Sequence, residues 1–388
     1  MSDAPPASNR PYIAALTGLR GVAAFFVFLY HYEALHPGIR LDLLIPYLGV
    51  VLQFPLGLGF VGVDLFFVLS GFLLTLPFAR AAFGTGPGPS LPRYFKRRFL
   101  RVFPAYYAQL FIILIAGAWF LSWRAQTPGS LIAHLFMFFN IGPAPVSPIV
   151  GVWWTLPVEM GFYLLLPLLA PLMRPGRWPW ALLTGLLITV LYRAWAGAHF
   201  GPVSTTAAFL AASQLPGSLA EFMLGATAAV WIKTVPKRKA PALAPWLLDL
   251  MVVVGLVLPG FWLWQVVLAA GAAYWQGHWS MLLSPLVIGS CLSLAVLGVY
   301  QGSRVGRVLL ANRVVYFLGL VSYSLYLWHF VVMQQIQSMV GESYADLPHV
   351  IKFPLSLAGV LLVSALSYRF IERPFYRIKS FREAVKAT

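Results

Sequence analysis

The stretch AALTGLRGVAAFFVFLYHY, residues 14–32, decides the fold class, because it is apolar and long enough to cross a lipid bilayer. It nevertheless contains Arg20 and His31, and an ionisable side chain at membrane depth is costly and usually functional. At about 100° and 1.5 Å per residue, the two side chains fall within roughly 20° on one helical face, about 16 Å apart along the axis. This arrangement suits an enzyme that holds an anionic donor at one depth and uses a general base at another.

The composition of the whole chain agrees with a membrane protein. Of the 388 residues, 60% are hydrophobic and only 10% are charged. Soluble domains carry about 25% charged residues. The formal net charge of +16 does not indicate a nucleic-acid partner, because the basic residues concentrate in alternate loops. We therefore predict an all-α integral membrane protein with no large soluble domain.

Hydropathy predicts about ten membrane-spanning helices, each long enough for a hydrocarbon core of about 30 Å. The predicted spans are 13–34, 52–78, 103–122, 152–173, 179–197, 207–232, 246–270, 280–299, 314–339 and 351–371. The apolar run Leu131–Phe139 is too short to cross, and we expect it to be re-entrant or interfacial.

Positive charge alternates between the loops of this arrangement. One set of loops, together with the C-terminal tail, carries most of the arginines and lysines, whereas the other set holds little beyond Arg40 and Arg124. The positive-inside rule places the first set in the cytoplasm. Both termini are then cytoplasmic, which agrees with an even number of spans.

Three polar side chains are predicted to share a similar depth in the outer half of the membrane. The first span runs outward and carries His31 near its outer end. The second and fourth spans run inward and carry Asp64 and Glu159 in their outer halves. A carboxylate beside a histidine orients the ring and stabilises its protonated form. The sequence leaves open whether the three side chains meet, and a structural pair or a helix end near water explains either carboxylate equally well.

A basic stretch after the second span is a second indication of function. Arg98 and Arg101, within KRRFLRVFP at 96–104, are three residues apart and therefore share a helix face. Paired guanidinium groups bind phosphate in a bidentate geometry that lysines cannot reproduce. The alternative is a juxtamembrane cluster that fixes topology and contacts acidic lipids, and charge alone favours that alternative.

Six motifs together resemble the acyltransferase-3 family, the membrane O-acyltransferases of the O-antigen acetylase type. They are LRGVAA at 19–24 followed by His31, GVDLFFVLSGF at 62–72, RFLR at 98–101 with Pro104, WTLPVE at 154–159, SYSLYLWH at 322–329 and IERP at 371–374. Because they extend over nearly the whole sequence, we expect residues 1–388 to form a single acyltransferase-3-like transmembrane domain. Many family members carry a further C-terminal periplasmic hydrolase-like domain, which we expect to be absent because the sequence stops at Thr388.

The resemblance implies a protein of the bacterial inner membrane that moves acyl groups, usually acetyl from acetyl-CoA. The expected acceptor is a hydroxyl group of an extracytoplasmic carbohydrate or glycolipid. His31 corresponds to the family's essential histidine, Arg20 to its partner arginine, and Arg98 with Arg101 to the cytoplasmic pair implicated in donor handling. The expected partners are therefore acyl-CoA, the acceptor and membrane lipids.

The chemistry of the donor agrees with these assignments. Coenzyme A is cytosolic and carries a 3′-phosphate and a pyrophosphate, so a cytoplasmic arginine pair is well placed to bind it. The long thin pantetheine arm would let the thioester reach into the membrane domain. His31 would then deprotonate the acceptor hydroxyl for direct attack on the thioester, or carry the acyl group covalently.

Other polar residues in the spans have simpler explanations beside a functional one. Ser70 is a candidate for donor binding, although a small pair such as Ser70 and Gly71 within a span is usually a packing site. His329 in the ninth span is either functional or a hydrogen-bonded structural histidine. Glu221 either lines a cavity or pairs with an arginine. No spacing typical of zinc ligands occurs, so no metal is expected.

Two alternative functions remain open at this point. Polytopic chains with buried charges are often transporters, which commonly show paired half-repeats with broken helices. No such repeat is evident here. The other alternative is an acyltransferase of the same family that acts on a lipid or a macrolide.

Overall fold

The computed structural model describes residues 11–37, 41–45, 50–54, 56–120, 127–142, 145–234 and 243–375, and this part of the chain is almost entirely helical. Within it, nine helices are long and apolar enough to cross a membrane, and one strongly bent pair brings the number of spans to ten. The prediction of an all-α polytopic membrane protein with about ten spanning helices is therefore confirmed.

The elements follow one another in a simple order along the chain. They are α1 (Pro11–Leu35), β1 (Leu41–Ile45), β2 (Val50–Phe54), α2 (Val61–Ala82), α3 (Leu91–Phe120), α4 (Pro128–Leu135), α5 (Thr155–Leu169), α6 (Trp178–Phe200), α7 (Thr205–Ala212), α8 (Leu215–Thr234), α9 (Pro245–Ala270), α10 (Trp279–Gln301), α11 (Arg304–Leu310), α12 (Arg313–Leu320), α13 (Ser322–Val340), α14 (Ser343–Asp346) and α15 (His349–Ser367). Short 3₁₀ helices precede α2 (Leu56–Phe60) and α5 (Gly151–Trp154) and follow α5 (Ala170–Leu172) and α9 (Gly271–Gln276), and a π-turn (Tyr368–Glu372) follows α15.

The loop after α1 contains a hairpin that the hydropathy pattern did not predict. Strands β1 and β2 pair in antiparallel register, with Leu41 opposite Phe54. Residues 52–54 were assigned to the second span, and they belong instead to β2. The proline at position 55 explains the later helix start, because the residue before a proline disfavours the helical conformation.

Two predicted spans are broken rather than continuous. The predicted span 207–232 consists of α7 and α8, which are separated at Ser213 and Gln214. Pro216 lies in the first turn of α8, where its missing N–H is harmless but where it cannot continue a preceding helix. The predicted span 314–339 consists of α12 and α13, which bend by 77° where they meet. Irregular backbone at membrane depth is tolerated where it lies inside the protein or lines a cavity.

Helix α3 begins at Leu91, well before the predicted start of the third span at 103. Arg98 and Arg101 therefore lie on the spanning helix itself and not in a loop. Pro92 in the first turn and the helix-favouring lysine and arginine residues that follow account for the early start.

Helices α2 and α8 approach each other so closely that a side chain larger than that of glycine does not fit at two contact positions. A Cβ atom on Gly71 would lie 2.1 Å from the carbonyl oxygen of Phe222, and one on Gly225 would lie 2.1 Å from that of Val68. Any larger residue would push the two backbones apart. Gly71 therefore has the packing role expected of it, and this contact brings the polar side chains of α2 beside those of α8.

Candidate active site

The polar side chains of the spanning helices collect around two cavities. The first, which we call the histidine cavity, has a volume of about 530 Å³ and is lined by His31, Asp64, Arg193, Glu221 and Tyr274 among others. The second, which we call the arginine cavity, has a volume of about 40 Å³. Its lining includes five of the predicted site residues, Arg20, Ser70, Arg98, Arg101 and Glu159. All seven residues that the sequence nominated thus line one of these two cavities.

The arginine cavity brings three guanidinium groups from two helices together. Arg20 of α1 donates from Nε to the hydroxyl oxygen of Ser322, at 3.4 Å. Arg98 and Arg101 of α3 lie over aromatic rings, each with its guanidinium carbon 5.8 Å from the ring centre, at Tyr163 and Tyr323 respectively. Cation–π contacts of this kind hold the planar guanidinium groups in place.

Glu159 is the carboxylate of the arginine cavity. Ser70 donates from its hydroxyl to Oε1 of Glu159 at 3.0 Å, and the hydroxyl of Tyr163 donates to the same oxygen. One carboxylate facing three guanidinium groups leaves this cavity positively charged. The sequence had placed Glu159 near the depth of His31, whereas the structure places it among the arginines.

His31 is hydrogen-bonded to a second histidine. Its Nδ1 atom lies 2.9 Å from the carbonyl oxygen of Val27, one turn earlier in α1, and 3.1 Å from Nε2 of His329 in α13. The two imidazole rings have centroids 4.8 Å apart and are tilted by 59°. Neither Asp64 nor Glu159 has this place beside the His31 ring.

Asp64 lines the same cavity as His31 but lies beside another carboxyl group. That neighbour is Glu221 of α8, which lines the same cavity. Arg193 of α6 lies near both and is fixed by donating from Nε to the carbonyl oxygen of Gly217 at 2.7 Å and from Nη1 to that of Met281 at 3.0 Å. The three side chains form a polar patch in the wall of the cavity.

Aromatic side chains make up much of the remaining wall of the histidine cavity. They are Tyr30, Phe60, Phe67, Trp154, Phe209, Tyr274, Trp275 and Tyr326. A mostly apolar cavity with a few fixed polar groups is typical of a site for an organic ligand. The volume is large enough for a ring-sized acceptor to enter beside His31.

A narrow connecting cavity of about 40 Å³ lies between the two sites. It shares Arg20, Glu159 and Tyr323 with the arginine cavity, and it shares Val63, Phe67 and Tyr326 with the histidine cavity. On the other side of the arginine cavity lies a surface cavity of about 240 Å³, which shares Leu73, Leu74 and Arg98 with it. This surface cavity opens at the exposed segment 87–90. Four neighbouring cavities with shared lining residues therefore lie in a row between the exposed segment 87–90 and His31.

Sequence reasoning missed two polar groups in or beside these cavities and left two others undecided. Arg193 was not singled out, although it is an ionisable residue inside a predicted span and met the criterion that selected Arg20. Ser322 was not identified as the partner of Arg20. His329 and Glu221 were noted with functional and structural explanations side by side, and the structure places Glu221 in the lining of the histidine cavity and His329 in hydrogen-bond contact with His31.

Comparison with known proteins now assigns the family. The model of the acyltransferase-3 family, described as an acyltransferase domain, matches residues 13–369. The chain belongs to this family. The resemblance that the motifs indicated is thereby confirmed, and acyl transfer is favoured over the transporter alternative.

Two curated relatives align with nearly the whole of this chain. The peptidoglycan O-acetyltransferase OatA of Listeria monocytogenes is 24% identical over 406 residues, which cover 94% of this chain and 56% of OatA. The acyltransferase MdmB of Streptomyces mycarofaciens is 26% identical over 399 residues, which cover 96% of this chain and 94% of MdmB. The chain therefore spans a little over half the length of OatA. No solved structure matches the chain.

Proposed function

We propose that this protein transfers an acyl group, acetyl from acetyl-CoA in the simplest case, to a hydroxyl group of an extracytoplasmic carbohydrate or glycolipid. The observation that supports this most strongly is the row of cavities from the exposed segment 87–90, past the arginine cavity, to His31. A donor that enters at one end and an acceptor that enters at the other would meet where the connecting cavity adjoins the histidine cavity.

The arginine cavity suits the phosphate end of coenzyme A. Arg98 lines both this cavity and the surface cavity, and Arg101 lies one helical turn further into the bundle. We assign both guanidinium groups to the phosphates, because a forked guanidinium matches phosphate oxygens. Arg20 lines the arginine and connecting cavities, so we assign it to a carbonyl oxygen of the arm or thioester further in.

Ser70 and Glu159 belong to the donor side in this assignment. Both hydroxyl donors on Glu159, from Ser70 and Tyr163, point to one carboxylate oxygen, which fixes its position beside the arginines. We assign Glu159 to holding the arginine cavity in shape and to offsetting its positive charge. Ser70 is assigned to contact with the donor arm.

The chemical step follows from the position of His31. Its ring takes the proton of the acceptor hydroxyl while the hydroxyl oxygen attacks the thioester carbonyl. The carbon–sulfur bond then breaks, an ester forms, and the proton passes from the imidazolium to the departing thiolate of coenzyme A. A covalent acyl-histidine would use the same ring atom as the nucleophile and give the same products.

The class of acceptor is supported by the shape of the histidine cavity and by the relatives. An aromatic wall with a fixed polar patch fits a ring that has both C–H faces and hydroxyl edges. OatA is named for O-acetylation of peptidoglycan, a carbohydrate polymer. A lipid or macrolide acceptor is the alternative, and it would fill the same cavity.

Mass spectrometry of cell-surface glycans and lipids, from cells with and without this protein, tests the proposal. We expect one acyl mass, that of acetyl in the simplest case, to disappear from a single carbohydrate-containing species when the protein is deleted, and to return with the wild-type gene. Loss of an acyl group from a lipid or macrolide without sugar would select the alternative acceptor. Unchanged acylation throughout the cell envelope would contradict the proposal.

A further inference from the structure

The geometry points to His329 as a positioning residue that fixes which nitrogen of His31 acts as the base. The evidence is the set of hydrogen bonds around the two rings, and it begins with His329, whose side chain is fully buried. Its Nδ1 atom lies 2.8 Å from the carbonyl oxygen of Tyr326 and 3.1 Å from that of Leu325. Carbonyl oxygens only accept hydrogen bonds, so Nδ1 of His329 must carry a proton.

The proton on Nδ1 determines what the other nitrogen of His329 does. In a neutral imidazole with its proton on Nδ1, Nε2 has a lone pair and accepts a hydrogen bond. That Nε2 atom faces Nδ1 of His31 at 3.1 Å. It therefore accepts a hydrogen bond from Nδ1–H of His31.

The backbone of α1 favours the same proton on His31. Nδ1 of His31 also lies 2.9 Å from the carbonyl oxygen of Val27, which again can only accept. Its single Nδ1–H is shared between Val27 and His329 in a three-centre bond. If His31 carried its proton on Nε2 instead, Nδ1 of His31, the carbonyl oxygen of Val27 and Nε2 of His329 would all be acceptors, and no donor would lie between them. The Nδ1–H form of His31 is therefore strongly preferred.

This tautomer gives His31 a defined catalytic atom. With Nδ1 protonated, the lone pair is on Nε2, and within the described residues both hydrogen bonds of the His31 ring involve Nδ1 and leave Nε2 for a ligand. His31 lines the histidine cavity, where the acceptor would bind. After Nε2 has taken the hydroxyl proton, the bond from Nδ1–H to His329 orients the positively charged ring, which is the part an aspartate plays in catalytic triads.

The inference rests on the proposed function for its consequence in catalysis, but its structural core can be tested without any acceptor. The chain has seven histidines, so ¹⁵N-labelled histidine in purified protein gives few resonances, and a His31→Gln sample identifies those of His31. The nitrogen chemical shifts distinguish the Nδ1–H and Nε2–H tautomers. We expect the Nδ1–H pattern for His31, and an Nε2–H pattern in the wild-type protein would overturn the inference.

Two substitutions at position 329 separate positioning from simple packing. His329→Gln keeps an amide oxygen near the place of Nε2, so it should keep the Nδ1–H tautomer of His31. His329→Leu fills similar space without an acceptor and leaves only the Val27 carbonyl oxygen to hold the Nδ1–H proton of His31, so the Nε2–H tautomer should be more populated than in His329→Gln. The control is His134→Leu, which removes another fully buried histidine outside both cavities and should leave the His31 pattern unchanged. Equal His31 patterns in the Gln and Leu variants would overturn the inference.

Transfer kinetics then measure the catalytic consequence. We expect kcat to fall about 10²-fold or more in His329→Leu, with an unchanged KM for acetyl-CoA, and to recover substantially in His329→Gln. A purely structural role predicts equal losses in both variants, with KM altered as well, and that result would overturn the role of His329. If the wild-type protein shows the Nδ1–H tautomer but transfers no acyl group to any acceptor, the proposed function fails while the hydrogen-bond assignment stands.

Discussion

The arginine cavity and the histidine cavity differ in size, charge and degree of internal pairing. The arginine cavity holds about 40 Å³, and its side chains contact one another through Glu159, Ser70 and Tyr163. The histidine cavity holds about 530 Å³, and aromatic rings form much of its wall. A small charged site suits one invariant ligand, whereas a large aromatic site suits ligands that vary. Under the proposed function, the first would contact the phosphate end of coenzyme A, and the second would hold the acceptor.

The largest effect that this comparison predicts is a separation of binding from chemistry at His31. His31→Ala should reduce transfer about 10²–10⁴-fold, because a general base is lost. Acetyl-CoA affinity should remain unchanged, because the donor phosphates are assigned to the other cavity. Steady-state transfer and direct acetyl-CoA binding measure the two quantities, with His199→Ala as control because His199 is exposed and lines neither cavity. Folded His31→Ala protein with near wild-type turnover would remove His31 from the chemistry.

The next effect concerns the passage between the two cavities. Val63 lines both the connecting and the histidine cavity, so Val63→Phe should obstruct the point where the thioester meets the acceptor. We expect about a 10²-fold loss of kcat, because a small misplacement of reacting groups has that effect. Acetyl-CoA binding should persist, and Val63→Ala serves as the matched variant that widens the passage. Undiminished kcat in a folded Val63→Phe protein would mean that the donor reaches His31 by another path.

A smaller effect is expected when the arginine pair is replaced. A hydrogen bond to a charged group contributes about 1.5–3 kcal/mol, so Arg98→Gln with Arg101→Gln should weaken acetyl-CoA binding at least about tenfold. A double substitution to Lys retains the charge but loses the forked geometry, and it should also weaken binding. The matched control is Arg174→Gln with Arg177→Gln, an exposed pair with the same spacing. If the two double-Gln variants bound acetyl-CoA with the same affinity, the only remaining role for Arg98 and Arg101 would be to fix the membrane topology.

The smallest predicted effect lies outside both cavities, at His134 of α4. His134 accepts a hydrogen bond from the Ile149 N–H at 2.9 Å and approaches the carbonyl oxygen of Ser130 at 2.7 Å, which holds the segment before Gly151. Burial lowers the pKa of His134 in the folded protein. In the unfolded chain it titrates near its ordinary pKa of about 6.5. The unfolded chain therefore takes up the proton first, and stability falls as the pH drops below about 6.5.

Thermal unfolding between pH 8 and pH 5 checks this effect of His134. We expect the melting temperature of the wild-type protein to fall on the acidic side, and the decrease to be smaller in His134→Gln, whose side chain does not titrate. Identical pH dependence in the two proteins would show that His134 is not a source of acid sensitivity. In a separate binding measurement, His134→Gln should have the same acetyl-CoA affinity as the wild-type protein.

The periodicity of α1 was enough to place Arg20 and His31 correctly, because both lie on one helix whose geometry is local. Their cavities differ because the eleven-residue separation carries the two side chains to different depths. The same reasoning selected Arg98 and Arg101, although it started their helix too late. Local rules of helix geometry therefore sufficed wherever the relevant partners were on the same helix.

The partner of His31 could not be derived in this way. His329 is 298 residues away, and its approach depends on the 77° bend between α12 and α13. A hydropathy profile shows one continuous apolar stretch over residues 314–339, because a bend in the backbone does not change the amino-acid composition. Asp64 and Glu159 were plausible partners by depth alone, but depth does not specify neighbours. Asp64 lies beside Glu221, and Ser70 and Tyr163 donate hydrogen bonds to Glu159.

Sealed membrane vesicles of defined orientation test most directly whether donor and acceptor meet from opposite ends of the row of cavities. Acetyl-CoA does not cross the membrane, so labelled donor can be supplied to one face at a time. Labelling of a Ser90→Cys variant reports which face carries the exposed segment 87–90, because the only native cysteine, Cys291, is buried. We predict transfer only when acetyl-CoA is at the face of Ser90, with the acyl ester appearing at the opposite face. Transfer from acetyl-CoA at the other face, or an ester that stays on the donor's side, would contradict this.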